Sequence, residues 1–211
     1  MGTVERIEQS GVVAIVRLDD YSKATEMAEA LAAGGVEAVE FTYTNPAAGE
    51  AVLATKAALG DRMLVGAGTV LDPETARAAI LLGADFIVTP TVQIETIRLC
   101  NRYSIPTVIG AFTPTEILTA WEAGASVVKV FPASVGGPRY LKDVRGPLPH
   151  VKLIPTGGVS EENAADFIRA GAIAIAAGSN LLDATTVEQG DWAKLTDRAR
   201  TLVAAVREAH S

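Results

Sequence analysis

The chain has 211 residues, 49% of them hydrophobic and 20% charged, with a net charge of −7. That balance supports a sizeable core and argues against disorder. It also argues against nonspecific nucleic-acid binding, which needs a basic surface that no Lys/Arg cluster supplies here. Aromatics are only 5%, so the core must be built from Ala, Val, Ile and Leu, as in proteins with buried parallel strands.

The opening "MGTVERIEQSGVV" has acidic interruptions and no continuous apolar core, so it is not expected to be a signal peptide. No uninterrupted apolar run is long enough to suggest a membrane span, which makes a cytoplasmic protein the default expectation. Instead "GTVERIEQSG" reads as a short extra helix at the bottom of the fold. Eight β-branched runs follow in order: VVAIVRL (12–18), VEAVEFTY (36–43), MLVGAGTV (63–70), FIVTP (86–90), PTVIGAF (106–112), SVVKVFP (126–132), VKLIPTG (151–157) and IAIAAGS (173–179). Their starts lie about 20–27 residues apart, the room a βα unit needs.

Between the strands, "SKATEMAEALAAGG" and "TPTEILTAWEAGA" carry apolar residues at helical spacing and end at glycine. "GVSEENAADFIRAGA" predicts a helix capped by Ser160. The longest connection, Ala133 to His150, has room for a short helix at "PRYLKDV". Eight alternating units predict an α/β protein, a (β/α)8 TIM barrel formed by residues 1–211 as one domain. A doubly wound open sheet is the alternative, but no G-x-G-x-x-G follows the first strand.

Catalytic groups of such barrels project from the C-terminal ends of the strands. Two charged residues stand inside apolar strands: Glu40 in the second and Lys129 in the sixth. Strands two and six face each other across an eight-membered ring, so these side chains can meet if both point inward. Desolvation lowers a lysine pKa and exposes a nucleophilic amine, and a nearby carboxylate can move the protons that imine chemistry requires. The competing reading is a structural buried ion pair, which is costly to desolvate.

The loops after strands seven and eight, "PTGG" and "AAGS", place Gly157, Gly158, Gly178 and Ser179 where barrels commonly hold phosphate. In "VGAGTV", Thr69 offers a hydrogen bond and its glycines backbone room, or those glycines relieve a bend in the wall. Arg17, ending strand one, reads equally as an anion ligand or as a rim ion-pair partner. Glu116 fits the first turn of its helix. The lone Cys100 reads as a core residue, and His150 and His210 form no metal-ligand pattern, so neither metal nor cofactor is expected.

The chain resembles the class I pyruvate aldolases that cleave 2-dehydro-3-deoxy-6-phosphogluconate (KDPG) or 4-hydroxy-2-oxoglutarate (KHG). The resemblance rests on "GGVEAVEFTYTNP", "VGAGTVLDPE", "FIVTP", "TPTEILTAWEAGA", "VVKVFPAS", "GGPRYLKDVRGPLPHVKLIPTGGV" and "AAGSNLL", in order over nearly the whole chain. It implies Lys129 as the Schiff-base lysine, Glu40 as general acid and base, and Thr69 and Pro90 beside the pyruvate moiety. It further implies phosphate held at Gly157–Gly158 and Gly178–Ser179, and a homotrimer. One motif departs: some members have "TLRT" after the strand-two glutamate, where this chain has "TYTN", so Thr44 stands in the arginine's place. Arg17 is then expected to take over anion recognition. Cleavage of the phosphogalactonate epimer, a phosphosugar isomerase on the same barrel and a non-catalytic oligomeric scaffold are the competing functional readings.

Overall fold

A computed structural model describes residues 1–210. Helix α1 (Thr3–Ser10) precedes strand β1 (Val12–Val16). There follow α2 (Ala24–Ala33), β2 (Ala38–Thr42), α3 (Ala48–Leu59), β3 (Leu64–Gly68), α4 (Pro73–Leu81), β4 (Phe86–Thr89) and α5 (Ile94–Arg102). The second half runs β5 (Thr107–Ala111), α6 (Pro114–Glu122), β6 (Val127–Val130), α7 (Gly137–Arg145), β7 (Leu153–Pro155), α8 (Ala164–Arg169), β8 (Ile175–Ala177), α9 (Ala184–Gln189) and α10 (Trp192–His210). All eight predicted strands form, each shorter than its apolar run, because the flanking residues leave the ladder to enter the loops.

The strands are parallel, in the order β7-β6-β5-β4-β3-β2-β1-β8. A single bridge, Thr156 to Ala176, joins β7 to β8 and nearly closes the ring. The predicted barrel with its extra N-terminal helix is therefore the observed fold. Side chains alternate across the wall. Outward residues such as Val39, Phe41, Val128 and Val130 pack under the helices in one large apolar cluster. Inward residues form a second, separate cluster that includes Val13, Leu64, Phe86, Val127 and Ile154, with Ile7 of α1 joining it from below. Among the described residues, no helix is long and apolar enough to cross a membrane.

Several local expectations bear on the loops. The glycines closing "SKATEMAEALAAGG", "TPTEILTAWEAGA" and "GVSEENAADFIRAGA" take left-handed backbone, at Gly35 (φ 91°), Gly124 (φ 96°) and Gly171 (φ 100°), so the chain turns sharply into each next strand. Residues 137–145 form α7, extending the helix expected at "PRYLKDV". Thr113 and Glu116 form a reciprocal capping box on α6, which uses both in the fold. Cys100 is buried in α5, and burial pushes its thiol up to about 11, as befits an inert core residue. One expectation fails: Ser160 does not cap α8, which begins at Ala164. The Asn163 side chain takes the competing role, accepting from Ser160 N–H at 2.9 Å and donating to Gly158 O at 2.9 Å. That holds residues 160–163 as a turn.

Candidate active site

Lys129 and Glu40 both point into the barrel. Lys129 alternates with inward Val127, and Glu40 with inward Ala38. Their strands, β6 and β2, are separated by three strands on either side of the ring, so the two side chains approach from opposite walls. They are 5% and 2% exposed. No ion pair within 4.0 Å joins Lys129 to a carboxylate among the described residues. The two charges act on each other through space without touching. The bland reading of a closed structural ion pair is therefore not what the geometry presents.

Burial dominates both titrations. It pushes the Lys129 ammonium below its ordinary value, against the opposing pull of Glu40, and the Arg17 charge lowers it further. Burial likewise pushes the Glu40 carboxyl up, while Lys129 and Arg17 pull it down. Each group is thereby moved toward its neutral form. Lys129 Nζ lies over the face of the Phe131 ring, 5.2 Å from its centroid.

The glycines of "VGAGTV" turn out to serve side chains. A Cβ on Gly68 would stand 1.6 Å from Glu40 Oε1, and one on Gly66 would stand 2.3 Å from the Phe86 ring. These absences make a socket for the carboxylate and a slot for the ring, so room inside the barrel explains both glycines better than a bend in its wall. On β5, Gly110 pairs with Lys129 in register. A Cβ there would lie 2.3 Å from the Pro90 backbone, so Pro90 comes down over β5 at the barrel mouth. Thr89 fixes that approach: its hydroxyl accepts from Gly110 N–H at 3.2 Å and donates to Thr91 O at 2.6 Å.

The remaining predicted residues ring the mouth in two groups. A cavity of about 170 Å3 is lined by Arg17, Phe131, Gly157, Gly158, Gly178 and Ser179, among others. Gly157 (φ 93°) and Gly158 (φ 74°) both lie at positive φ, a backbone that only glycine adopts without strain. Asn163 holds Gly158 O, and Asn180 Nδ2 donates to Val159 O at 2.9 Å, so the loops after β7 and β8 are stapled together. A wider opening of about 620 Å3 is lined by Thr44, Asn45 and Thr69, again with Arg17. Thr69 has φ 52°, an uncommon backbone for a β-branched residue and one that concentrates at functional sites. Arg17 alone borders both spaces. It makes no ion pair among the described residues, so the rim salt bridge weighed for it does not form.

One residue at the site escaped the sequence reading. Thr156 ends the inward row of β7, lines the smaller cavity and buries its hydroxyl without a hydrogen-bond partner. A buried unpaired hydroxyl is costly, and one aimed at a cavity is ready for a ligand. In sequence it looks like any threonine before a Gly-Gly turn.

The site thus brings a buried amine and a buried carboxyl in from opposite walls, each shifted toward its neutral form, beneath a mouth bordered by Arg17. Comparison with known proteins is consistent with that chemistry. The family described as "Aldolase: KDPG and KHG aldolase" matches residues 4–198. The chain is 36% identical over 193 residues to the 2-dehydro-3-deoxy-phosphogluconate aldolase of Pseudomonas aeruginosa, covering 91% of this chain and 87% of that protein. It is 37% identical over 200 residues to the 2-dehydro-3-deoxy-6-phosphogalactonate aldolase of Escherichia coli, covering 94% and 95%. Among solved structures it is similar to KDPG aldolase from Legionella pneumophila, with pyruvate captured at low pH as a covalent carbinolamine intermediate. That match has a TM-score of 0.85 at 27% identity and covers 91% of this chain and 93% of the other. The chain belongs to the KDPG and KHG aldolase family, an enzyme family of lyases.

Proposed function

We propose that the protein is a Schiff-base aldolase that reversibly cleaves KDPG to pyruvate and glyceraldehyde 3-phosphate, and that accepts KHG to give pyruvate and glyoxylate. The carrying observation is Lys129: an amine buried inside the barrel, held below its ordinary pKa, with Glu40 on the opposite wall. The neutral Lys129 Nζ adds to the ketone carbon, and the former carbonyl oxygen takes a proton to give a carbinolamine. Glu40, acting as acid, helps that hydroxyl leave as water, and an iminium forms. Glu40, now the carboxylate, takes the proton of the substrate's C4 hydroxyl. The C3–C4 bond breaks, its electrons pass to the iminium nitrogen, and the aldehyde departs. Protonation of the enamine at C3 and hydrolysis then release pyruvate and restore the amine.

Burial of Glu40 suits it to both roles, because a raised carboxyl gives and takes protons nearer neutral pH. Arg17 is read as the ligand of a substrate anion, with Thr44, Thr69 and Pro90 around the pyruvate end. The Gly157–Gly158 and Gly178–Ser179 backbone, with Thr156 beside it, is read as the phosphate cradle. We read the chain as a single domain working as a homotrimer. Exposed Leu71 after β3, Ile94 at the start of α5 and Val135 after β6 give apolar surface for neighbouring copies to cover. Sedimentation at the mass of one chain would overturn the trimer.

A second substrate is supported by one observation. The relative named for the phosphogalactonate compound is 37% identical, as similar as those named for KDPG. Pyruvate release from each epimer, by wild type and by Lys129→Ala, tests both readings. The proposal predicts faster release from the gluconate epimer and none from the variant. Release that survives the substitution would overturn the lysine mechanism.

A further inference from the structure

Arg17 follows the last residue of β1, is exposed and has no ion-pair partner among the described residues. A long flexible side chain loses much rotamer freedom when it grips an anion. Such a residue works best when its backbone is fixed beforehand. The backbone on either side of Arg17 is fixed, and from one direction.

Before it, Val16 O accepts from the Tyr21 hydroxyl at 2.8 Å. The same Tyr21 oxygen accepts from Thr42 N–H at 3.2 Å and lies 3.1 Å from the Thr42 hydroxyl, so the ends of β1 and β2 are tied through one atom. The Thr42 hydroxyl continues to that of Thr44 at 3.0 Å. Tyr21 is buried, its ring edge-on to Phe41 at 5.6 Å. After Arg17, Leu18 O and Asp19 O both accept from Asn45 Nδ2, at 3.0 and 2.9 Å. Asn45 Oδ1 accepts from Ala47 N–H at 2.8 Å, so both ends of the amide are engaged within the protein. Asn45 borders the wider opening, yet both of its N–H donors are used within the protein, so it has none left to offer a substrate anion.

We propose that Tyr21 and Asn45 are positioning residues that clamp the backbone on both sides of Arg17 and hold its guanidinium at the barrel mouth. The stretch "TYTN", which lacks the arginine found in other members, supplies half of the clamp through Thr42 and Asn45. Arg17 supplies the charge. The proposal rests on the reading of Arg17 as the ligand of a substrate anion.

Tyr21→Phe deletes one hydroxyl and keeps the ring on Phe41. Asn45→Ser keeps a short acceptor for the turn and cannot reach Leu18 or Asp19. Steady-state cleavage of the preferred phosphosugar epimer should show KM raised about tenfold in the paired variant, with kcat little changed. Each single variant provides a milder form should the pair fold poorly, and circular dichroism checks the fold. In an Arg17→Ala background, the clamp substitutions should add nothing to the KM already lost, a coupling that a merely structural role would not produce. If Arg17→Ala raises KM and the clamp variants do not, the clamp is wrong and the reading of Arg17 stands. If the clamp variants raise KM equally in both backgrounds, their role is structural and the proposal falls. If Arg17→Ala leaves KM unchanged, the reading of Arg17 fails, and the clamp with it.

Discussion

The two halves of the barrel interior are built from the same strands and have opposite chemistry. Near α1 the inward residues are Ile7, Val13, Ala38, Val127 and Ile154, an apolar plug. Two residues further along β2, β6 and β7 stand Glu40, Lys129 and Thr156, and Arg17 follows in the same row of β1. The outer face of these strands does not change along its length, because Val39, Phe41, Val128 and Val130 are all buried under helices. One step of the two-residue repeat therefore turns a wall that holds the fold into one that carries chemistry. The lower half makes a dry floor for the upper, and that floor helps desolvate Lys129.

The largest expected effect comes from removing the amine and leaving its volume. Lys129→Met should lower kcat by at least about 10^4-fold, as losing a covalent nucleophile does. Its melting temperature should stay near wild type, because methionine keeps the side-chain volume and an amine already shifted toward its neutral form contributes little charge pairing. A kinetic assay beside a thermal melt checks both. A variant that stays active would erase the distinction between the two halves.

Glu40→Gln should cost about 10^2–10^4-fold, the range for general acid–base groups. It should also move the pH dependence of adduct formation with pyruvate. The neutral amine reacts, and Glu40 raises the Lys129 pKa, so its loss should shift the midpoint to lower pH. Arg17 lowers that pKa, so Arg17→Ala should shift it to higher pH. Trapping rates measured across pH would show the two shifts; equal signs would contradict the through-space account.

Gly68→Ala inserts a methyl into the carboxylate socket. Displacing Glu40 by about an ångström should cost about 10^2-fold in kcat, and overpacking should cost about 1–3 kcal/mol in stability. Ile7→Ala should reverse the pattern and have the smallest effect on catalysis. It should lose about 2–5 kcal/mol of stability, read by denaturant melts, with activity per folded molecule near wild type. A large fall in kcat for Ile7→Ala would mean the floor takes part in the chemistry.

Much of this arrangement can be read from the chain, for physical reasons. Strand cores announce themselves because parallel strands buried on both faces are β-branched runs, and Glu40 and Lys129 stand out as charges inside such runs. Strand ends do not, because the ladder stops where a partner's register stops. The purpose of Gly68 is hidden because the group it accommodates, Glu40, belongs to another strand. Thr156, Tyr21 and Asn45 are hidden because hydroxyls and amides near strand ends look like turn residues until their partners are known. The absence of a Ser160 cap has the same reason: Asn163, three residues on, competes for the turn and takes it.

The central claim is that burial makes Lys129 the nucleophile. Its most direct test is to incubate the protein with pyruvate and borohydride, digest it and map the added mass by mass spectrometry. The account predicts one stable adduct, on Lys129, formed without added metal. An adduct on another lysine, or none while aldol cleavage proceeds, would contradict it.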